Sequence, residues 1–242
     1  MALYVPKQLG VAALDELDAV PWKDLEFAYM GEDSDSLNHD VKASLLALEG
    51  TRGDWEDGTY ALFSNIFHQG TVYEATAAAV PFLAAVAAGP AIEEGLRLQL
   101  VVMLTEIALS SSMDARGGGS SGAFGEDVAE KIRAALIASA PLYDHIAAAS
   151  PVTAPAFPAM LLIAKEPRAK HFEPLRAINE MLDAIEPPGA DAPAPAVGPD
   201  VRYRHPKLGD ATLVRRQDAS LVLRFDDGKE RVIRESFVTK LE

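Results

Sequence analysis

The chain has 242 residues, of which 49 % are hydrophobic, so it can bury a sizeable core and is not globally disordered. It contains no cysteine, which excludes disulfide scaffolds, thiolate metal sites and thiol nucleophiles. The formal net charge is −14 and is unevenly spread: residues 201–242 carry +3 and the first 200 residues carry −17. An acidic body of this kind favours basic partners over phosphate backbones, although the same acidity also maintains solubility.

Apolar residues at intervals of three and four predict a run of helices through residues 1–186. Outside the central stretch, the predicted helices cover 9–17, a start at Trp22, 41–48, 92–109, 126–138, 142–149, 155–164 and 172–185. Pro141, Pro151 and Pro167 fall between the later helices, where a boundary tolerates proline.

The central stretch, residues 55–86, predicts two antiparallel helices joined by a turn at 68–71. Tyr60, Phe63 and Phe67 share the apolar stripe of the first helix. Gly70 is predicted to end that helix, because glycine takes positive φ without strain. Pro81 is predicted to kink the second helix. A kinked helix beside an antiparallel neighbour is the building unit of an α-solenoid.

Two segments interrupt this pattern. The glycine- and serine-rich residues 110–125 predict an insertion, and the proline- and alanine-rich residues 187–200 predict a semi-rigid linker. Beyond the linker, residues 201–242 alternate apolar with polar positions, as half-buried strands do, and 226–229 predict a hairpin turn. The sequence therefore predicts a mainly α chain with a helical domain at 1–186 and a small β-barrel at 201–242.

The stretch from Trp22 to Val86 resembles a HEAT-like helical-repeat family that is widespread in bacteria. The resemblance is carried by Trp22 and Leu25, by residues 68–73 (HQGTVY) and by residues 80–83 (VPFL). It implies an α-solenoid that binds proteins, and repeats of this type recur among immunity proteins that neutralise toxins of competing bacteria.

The tail, residues 203–241, resembles a small SH3- or Tudor-like barrel that is appended to bacterial proteins, including certain repair helicases. The resemblance is carried by residues 205–210 (HPKLGD), Phe225 and the turn at 227–228. The usual aromatic–glycine pair is Leu208–Gly209 here. The resemblance implies a binding rather than a catalytic role.

Partner-binding residues are expected in three places. His68, Gln69 and Tyr73 flank the central turn, where His68 either caps a helix end or joins the other two in a polar recognition spot. Glu93 and Glu94 are candidates for the acidic surface. Arg202, Arg204 and Lys207 belong to a basic cluster in the tail that either docks onto the acidic helical body or binds a protein or nucleic acid.

Catalysis, metals and cofactors receive no support from the sequence. The five histidines include no pair at i, i+4, and the chain has no His-Glu-x-x-His motif. Asp54, Glu56 and Asp57 around Trp55 are interpreted as helix-capping acids. No catalytic, cofactor or metal residue is therefore predicted.

The expected function is a non-catalytic, cytoplasmic protein-binding module without a membrane partner. In its sharper form it is an immunity-type inhibitor whose acidic helical surface masks a basic toxin, such as a nuclease. The alternative is an adaptor for nucleic acid or a polymerase that acts through the C-terminal barrel.

Overall fold

The computed structural model describes residues 3–28, 40–113, 122–123, 127–167, 169–185, 202–205, 209–217, 220–225, 230–234 and 239–240. The chain divides into two compact units, Met1–Pro188 and Gly189–Glu242, called here the helical unit and the sheet unit. In the described part of the chain, every helix is too short or too polar to cross a bilayer.

The helical unit begins with two 3-10 helices, Gly10–Ala19 and Trp22–Asp24, where the sequence predicts ordinary helices. Gly10, at φ 70°, begins the first of these 3-10 helices. Its backbone passes close to the loop that follows the helix Glu74–Ala87. A Cβ on Gly89 in that loop would lie 2.3 Å from the Cα of Gly10. A side chain on Gly89 would therefore block this backbone contact, and one on Gly10 would be strained by its positive φ.

Eight α-helices follow within the described residues. They are α1 (Val41–Leu46, extended by the 3-10 turn Ala47–Glu49), α2 (Arg52–Asn65), α3 (Glu74–Ala87), α4 (Glu94–Ser110), α5 (Val128–Ala138), α6 (Ala140–Ala149), α7 (Ala156–Lys165) and α8 (Phe172–Asp183). From α4 onward the predicted helices are confirmed, with ends that differ by two residues at most.

Helix α3 is the centre of the helical unit. All of its residues from Ala75 to Ala87 are buried, and α4, α5, α6 and the 3-10 helix Gly10–Ala19 pack around it. Its many alanines allow those neighbours to approach closely. Pro81 lies inside the continuous helix. The structure shows a mainly helical unit around one enclosed helix, and the repeated helix pairs of a solenoid stay a prediction.

The turn between α2 and α3 differs from the prediction. Helix α2 ends at Asn65, and residues Phe67–His68 (β1) and Thr71–Val72 (β2) pair as an antiparallel hairpin. Gln69 and Gly70 both have positive φ, 51° and 83°, which is the backbone of a tight two-residue hairpin loop. The predicted helix through Phe67 is therefore wrong, because turn geometry ends the helix although the apolar spacing continues.

Strand β2 also pairs in parallel with Gly122–Ala123 (β3), which lies in the predicted glycine-rich insertion. Three strands therefore form one small sheet in the helical unit. The rest of the insertion between Met113 and Gly122 lies outside the described residues.

The sheet unit is a five-stranded antiparallel sheet in the order β7-β6-β5-β4-β8. Its strands are β4 (Arg202–His205), β5 (Gly209–Gln217), β6 (Ser220–Phe225), β7 (Glu230–Arg234) and β8 (Thr239–Lys240). Tyr203, Ala211, Leu213, Leu223 and Phe225 form its buried cluster. Among the described strands, β7 and β8 are open edges, so this sheet is not closed into the predicted barrel. The predicted linker and the turn at 226–229 lie outside the described residues.

Candidate interaction surface on the helical unit

The first turn of α2 uses its acidic residues for capping. The Thr51 N–H and hydroxyl both donate to Asp54 Oδ2, at 2.8 and 2.7 Å. These hydrogen bonds lower the pKa of Asp54, as expected for a carboxylate that stabilises a helix start. Arg52 pairs with Glu56 at 2.8 Å and lies over the Trp55 ring, 6.0 Å from its centroid. The capping interpretation is therefore confirmed for Asp54.

The outward surface of α2 combines acids with aromatic rings. Tyr60 is 69 % exposed, and Glu56 and Asp57 precede it by four and three residues on the same side of the helix. Ser64, one turn further on, donates to the Tyr60 carbonyl at 3.1 Å. We call Glu56, Asp57, Tyr60 and Ser64 the α2 face. Tyr60 therefore lies in solvent and not in the core, although its spacing predicts a place on the apolar stripe of the helix.

The hairpin extends from the end of this helix. Phe63 and the β1 residue Phe67 meet edge to face, with ring centroids 5.9 Å apart, and both are half-buried. The Tyr73 N–H donates to Thr76 Oγ1 at 2.8 Å, and the Thr76 hydroxyl donates to the Ile66 carbonyl at 2.5 Å. Thr76 thus connects the end of α2 to the start of α3 and holds the hairpin between them.

Three predicted partner-binding residues lie on this hairpin. Gln69 is exposed at its tip, and His68 and Tyr73 are half-buried on either side. His68 lies in β1, three residues beyond the end of α2, and its expected role as a helix cap stays a prediction. The three residues therefore lie close together along the chain around the hairpin loop, and the polar recognition spot stays a prediction.

Glu93 and Glu94 have contacts inside the helical unit. Glu93 Oε2 accepts the Trp55 indole N–H at 3.2 Å, which connects the start of α4 to α2. Glu94 pairs with Arg97 at 3.1 Å and accepts the hydroxyl of Ser150. The glutamates predicted to bind a partner thus also hold three segments of the helical unit together.

Arg97 is the residue of this junction that sequence reasoning missed. Its side chain is only 3 % exposed, and its guanidinium donates to the carbonyls of Ala87, Gly89 (3.1 Å) and Ile92 (3.2 Å). It therefore satisfies acceptors that the C-terminus of α3 leaves without helical partners. An arginine between leucines, Leu96 and Leu98, was the available sequence signal.

A second polar junction joins α4 to α8. The Asn179 amide donates to Glu106 Oε1 at 2.5 Å, and the Thr105 hydroxyl donates to Asn179 Oδ1. Burial, and secondarily the charge of Asp183, raise the pKa of Glu106. Within the described residues, no group of three His, Asp or Glu side chains is placed to hold a metal ion.

One of the predicted basic residues of the sheet unit forms an ion pair within that unit. Arg202 and Arg204 are exposed on β4, on either side of buried Tyr203. Arg204 makes a bidentate pair with its cross-strand partner Asp210, at 2.6 and 2.9 Å. That pair lowers the pKa of Asp210 and offsets the Arg204 charge. Lys207 lies outside the described residues.

Comparison of the chain with protein-family models, with curated protein sequences and with solved structures finds no match.

Proposed function

We propose that the chain is a non-catalytic protein-binding module whose acidic helical unit takes a basic protein partner. The observation that carries the proposal is Tyr60, 69 % exposed on the α2 face beside Glu56 and Asp57. Exposed tyrosine is a frequent anchor of protein interfaces, and its ring attracts the cations of lysine and arginine. The net negative charge of the first 200 residues attracts the same cations, so both features favour one class of partner.

The charges of the helical unit support this choice. Several of its cations pair with its own carboxylates: Lys42 with Asp18, Arg52 with Glu56, Lys131 with Glu74, and Arg176 with Glu173. Acids outnumber bases by 17 over the first 200 residues, so these internal pairs leave a large excess of negative charge. Such a surface speeds association with a basic protein and repels nucleic acid.

In its specific form, the proposal is an immunity-type inhibitor that covers the active site of a basic toxin, such as a nuclease, in the cytoplasm. A nuclease attracts polyanions to its active site. An acidic protein surface is attracted there in the same way and then blocks the active site sterically. The HEAT-like helix pairing belongs to this proposal, and it is supported by consecutive helices that pack together, such as α3 with α4 and α7 with α8. An SH3- or Tudor-like identity of the sheet unit belongs to it as well.

The test is affinity capture with the tagged full-length chain in nuclease-treated extract of the source organism. We expect one near-stoichiometric basic protein, whose binding weakens as salt is raised. A double variant, Asp57→Lys with Tyr60→Ala, should abolish its recovery. Asp144→Lys on α6 is the matched control, because that exposed acid lies outside the α2 face.

Two results would contradict the proposal. Recovery by the double variant equal to that of the unmodified chain would remove the α2 face from the interface. Binding that is independent of salt would remove the electrostatic argument. If the captured protein is a nuclease, the unmodified chain should also inhibit its cleavage of a defined DNA substrate, and the double variant should not.

One observation favours a nucleic-acid adaptor as the second candidate. Arg202 and Arg224 are exposed and lie in one cross-strand row, both opposite Thr212 of β5. Together with Arg204 they give one surface of the sheet three guanidinium groups. The full-length chain should then retard single-stranded DNA in a salt-dependent way, and Arg202→Glu with Arg224→Glu should eliminate that effect. No retardation at low salt would dismiss this candidate.

A further inference from the structure

A pocket of about 140 Å³ opens beside the enclosed helix α3. Its lining is mostly apolar and comes from four segments of the helical unit: Leu3, Tyr4, Val20, Leu25, Glu74, Ala77, Ala78, Lys131 and Ala134. Apolar cavities of about 150 Å³ hold one benzene ring. The pocket is therefore the size of a single aromatic ring or a short branched alkyl group.

Small side chains create this space. Along α3, Ala77 and Ala78 keep 7 % and 6 % exposure, whereas Ala79 and most residues after it are fully buried. A larger residue at either position would fill the pocket. The cavity thus follows from the alanines on this side of α3.

The N-terminal segment, which contributes Tyr4 to the lining, is fixed by several contacts. The Tyr4 ring stacks on Phe82 with centroids 6.0 Å apart, and its hydroxyl donates to Glu16 at 2.5 Å. Glu16 also accepts the backbone N–H groups of Lys7 and Gln8, each at 3.0 Å. These contacts fix the N-terminal segment over the cavity, so the pocket is preformed and a ligand does not have to order it.

Charged groups stand at one side of the pocket. The Lys131 ammonium pairs with Glu74 Oε1 at 2.6 Å and with Asp127 at 2.7 Å. Both carboxylates raise the pKa of Lys131, so it stays protonated at neutral pH. Glu74 and Lys131 both line the pocket, and Asp127 lies beside Lys131, so this group of two carboxylates and one ammonium carries a net negative charge. Glu74 is the acid of the lining.

We propose that this pocket binds a small amine with a ring-sized apolar body, with the ring among Ala77, Ala78 and Leu25 and the ammonium group at Glu74. The apolar lining supplies most of the binding free energy. The excess negative charge selects a cation over a neutral or anionic ligand of the same shape. This inference is independent of the α2 face and of its protein partner.

The test uses three probes of matched shape on the full-length chain: benzylamine, toluene and benzoate. Binding is followed by NMR of the alanine methyl groups, with Ala77, Ala78 and Ala134 as reporters. We expect all three methyl signals to shift with benzylamine, which should bind about 2- to 5-fold more tightly than toluene, the effect of one solvent-exposed ion pair. Benzoate should bind most weakly.

Variants separate the apolar and the ionic contributions. Ala78→Leu should eliminate the binding of all probes by filling the cavity, and Ala134→Leu, at an exposed position on the pocket rim, serves the same purpose should the first variant not fold. Glu74→Gln should keep toluene binding and eliminate the preference for benzylamine. Ala148→Leu, exposed on α6 and outside the pocket, should bind like the unmodified chain.

Three results would overturn the inference. Unshifted alanine signals with every probe would show that the pocket takes no ligand of this size. Benzoate binding as tight as benzylamine binding would refute the choice of a cation. Unchanged benzylamine affinity in both filling variants would place the ligand elsewhere.

Discussion

The helical unit buries polar side chains, whereas the sheet unit keeps a charged pair at its surface. The helical unit encloses Arg97 at 3 % exposure and Asn179 at 5 %, and it satisfies both with several hydrogen bonds. Among its described side chains, the sheet unit buries a cluster of five and keeps Arg204, 63 % exposed, on its surface with Asp210. A large core can surround a polar group with partners, whereas a small one has room for little besides apolar contacts.

The largest expected effect tests the enclosed polar junction. Arg97→Met should lower the free energy of unfolding of the helical unit by about 3–5 kcal/mol, because it leaves buried carbonyls at the end of α3 and the Glu94 carboxylate without their donor. Urea denaturation followed by circular dichroism measures it. Arg176→Met is the control, since that exposed pair with Glu173 should contribute less than about 1 kcal/mol. Similar losses in both variants would refute the contrast.

The next effect tests the small core. Tyr203 is 1 % exposed at the centre of the sheet cluster, and removing such a ring costs about 3–5 kcal/mol. A unit of this size has little more stability than that, so Tyr203→Ala should unfold the sheet. Loss of the dispersed strand amide signals by NMR would report it. Tyr60→Ala, at an exposed ring, should leave all dispersed signals in place.

The hairpin tests whether turn geometry determines the end of α2. Gly70→Ala should destabilise the helical unit by about 1–2 kcal/mol, because Gly70 has φ 83°, which L-residues rarely adopt. Gln69→Asn should instead stabilise it by up to about 0.5 kcal/mol, since asparagine followed by glycine is the preferred pair in this type of loop. Thermal unfolding of both variants provides the measurement. If both variants changed the stability of the helical unit in the same direction, the role assigned to the hairpin loop would be contradicted.

The smallest effects concern pH and have opposite signs at two glutamates. The Tyr4 hydroxyl, and then the Lys7 and Gln8 amides, lower the folded-state pKa of Glu16 below its ordinary 4.5. Its contribution is therefore complete above about pH 4.5 and is lost as the pH falls through the folded-state pKa. Glu16→Gln should destabilise the helical unit at pH 7 by less than about 1 kcal/mol and have little effect near pH 3. An equal loss at both pH values would contradict this assignment.

Glu106 should show the reverse. Burial raises its folded-state pKa, so the folded unit carries an ionisation cost above that pKa, and this cost disappears as the pH falls below the ordinary 4.5. Glu106→Gln retains an oxygen acceptor for Asn179 and should stabilise the unit at pH 7 by about 0.5 kcal/mol. The gain should vanish near pH 3, and a gain that persists there would have another cause.

Periodicity alone predicted most of the helices and strands. Helices α4 to α8 lie within two residues of their predicted bounds, and strands β5 to β7 lie in the tail for which alternation predicts strands, because each presents an apolar face at its own period. The capping role of Asp54 also followed from local sequence, since it depends on residues three apart. The end of α2 was missed because Phe63 and Phe67 keep helical spacing across the helix end, whereas the hairpin that follows depends on the positive φ of Gln69 and Gly70.

The sequence by itself determined the composition of each unit, the excess of acid in the first 200 residues and the periods of its helices and strands, because these are local properties of the chain. Only the tertiary structure decided that α3 is enclosed on all sides, that Arg97 closes its C-terminus, and that Tyr60 stays in solvent while Ala77 and Ala78 leave a pocket. The physical reason is that burial depends on which distant segments pack against a residue. An apolar stripe shows that a face will be covered but does not name the segment that covers it.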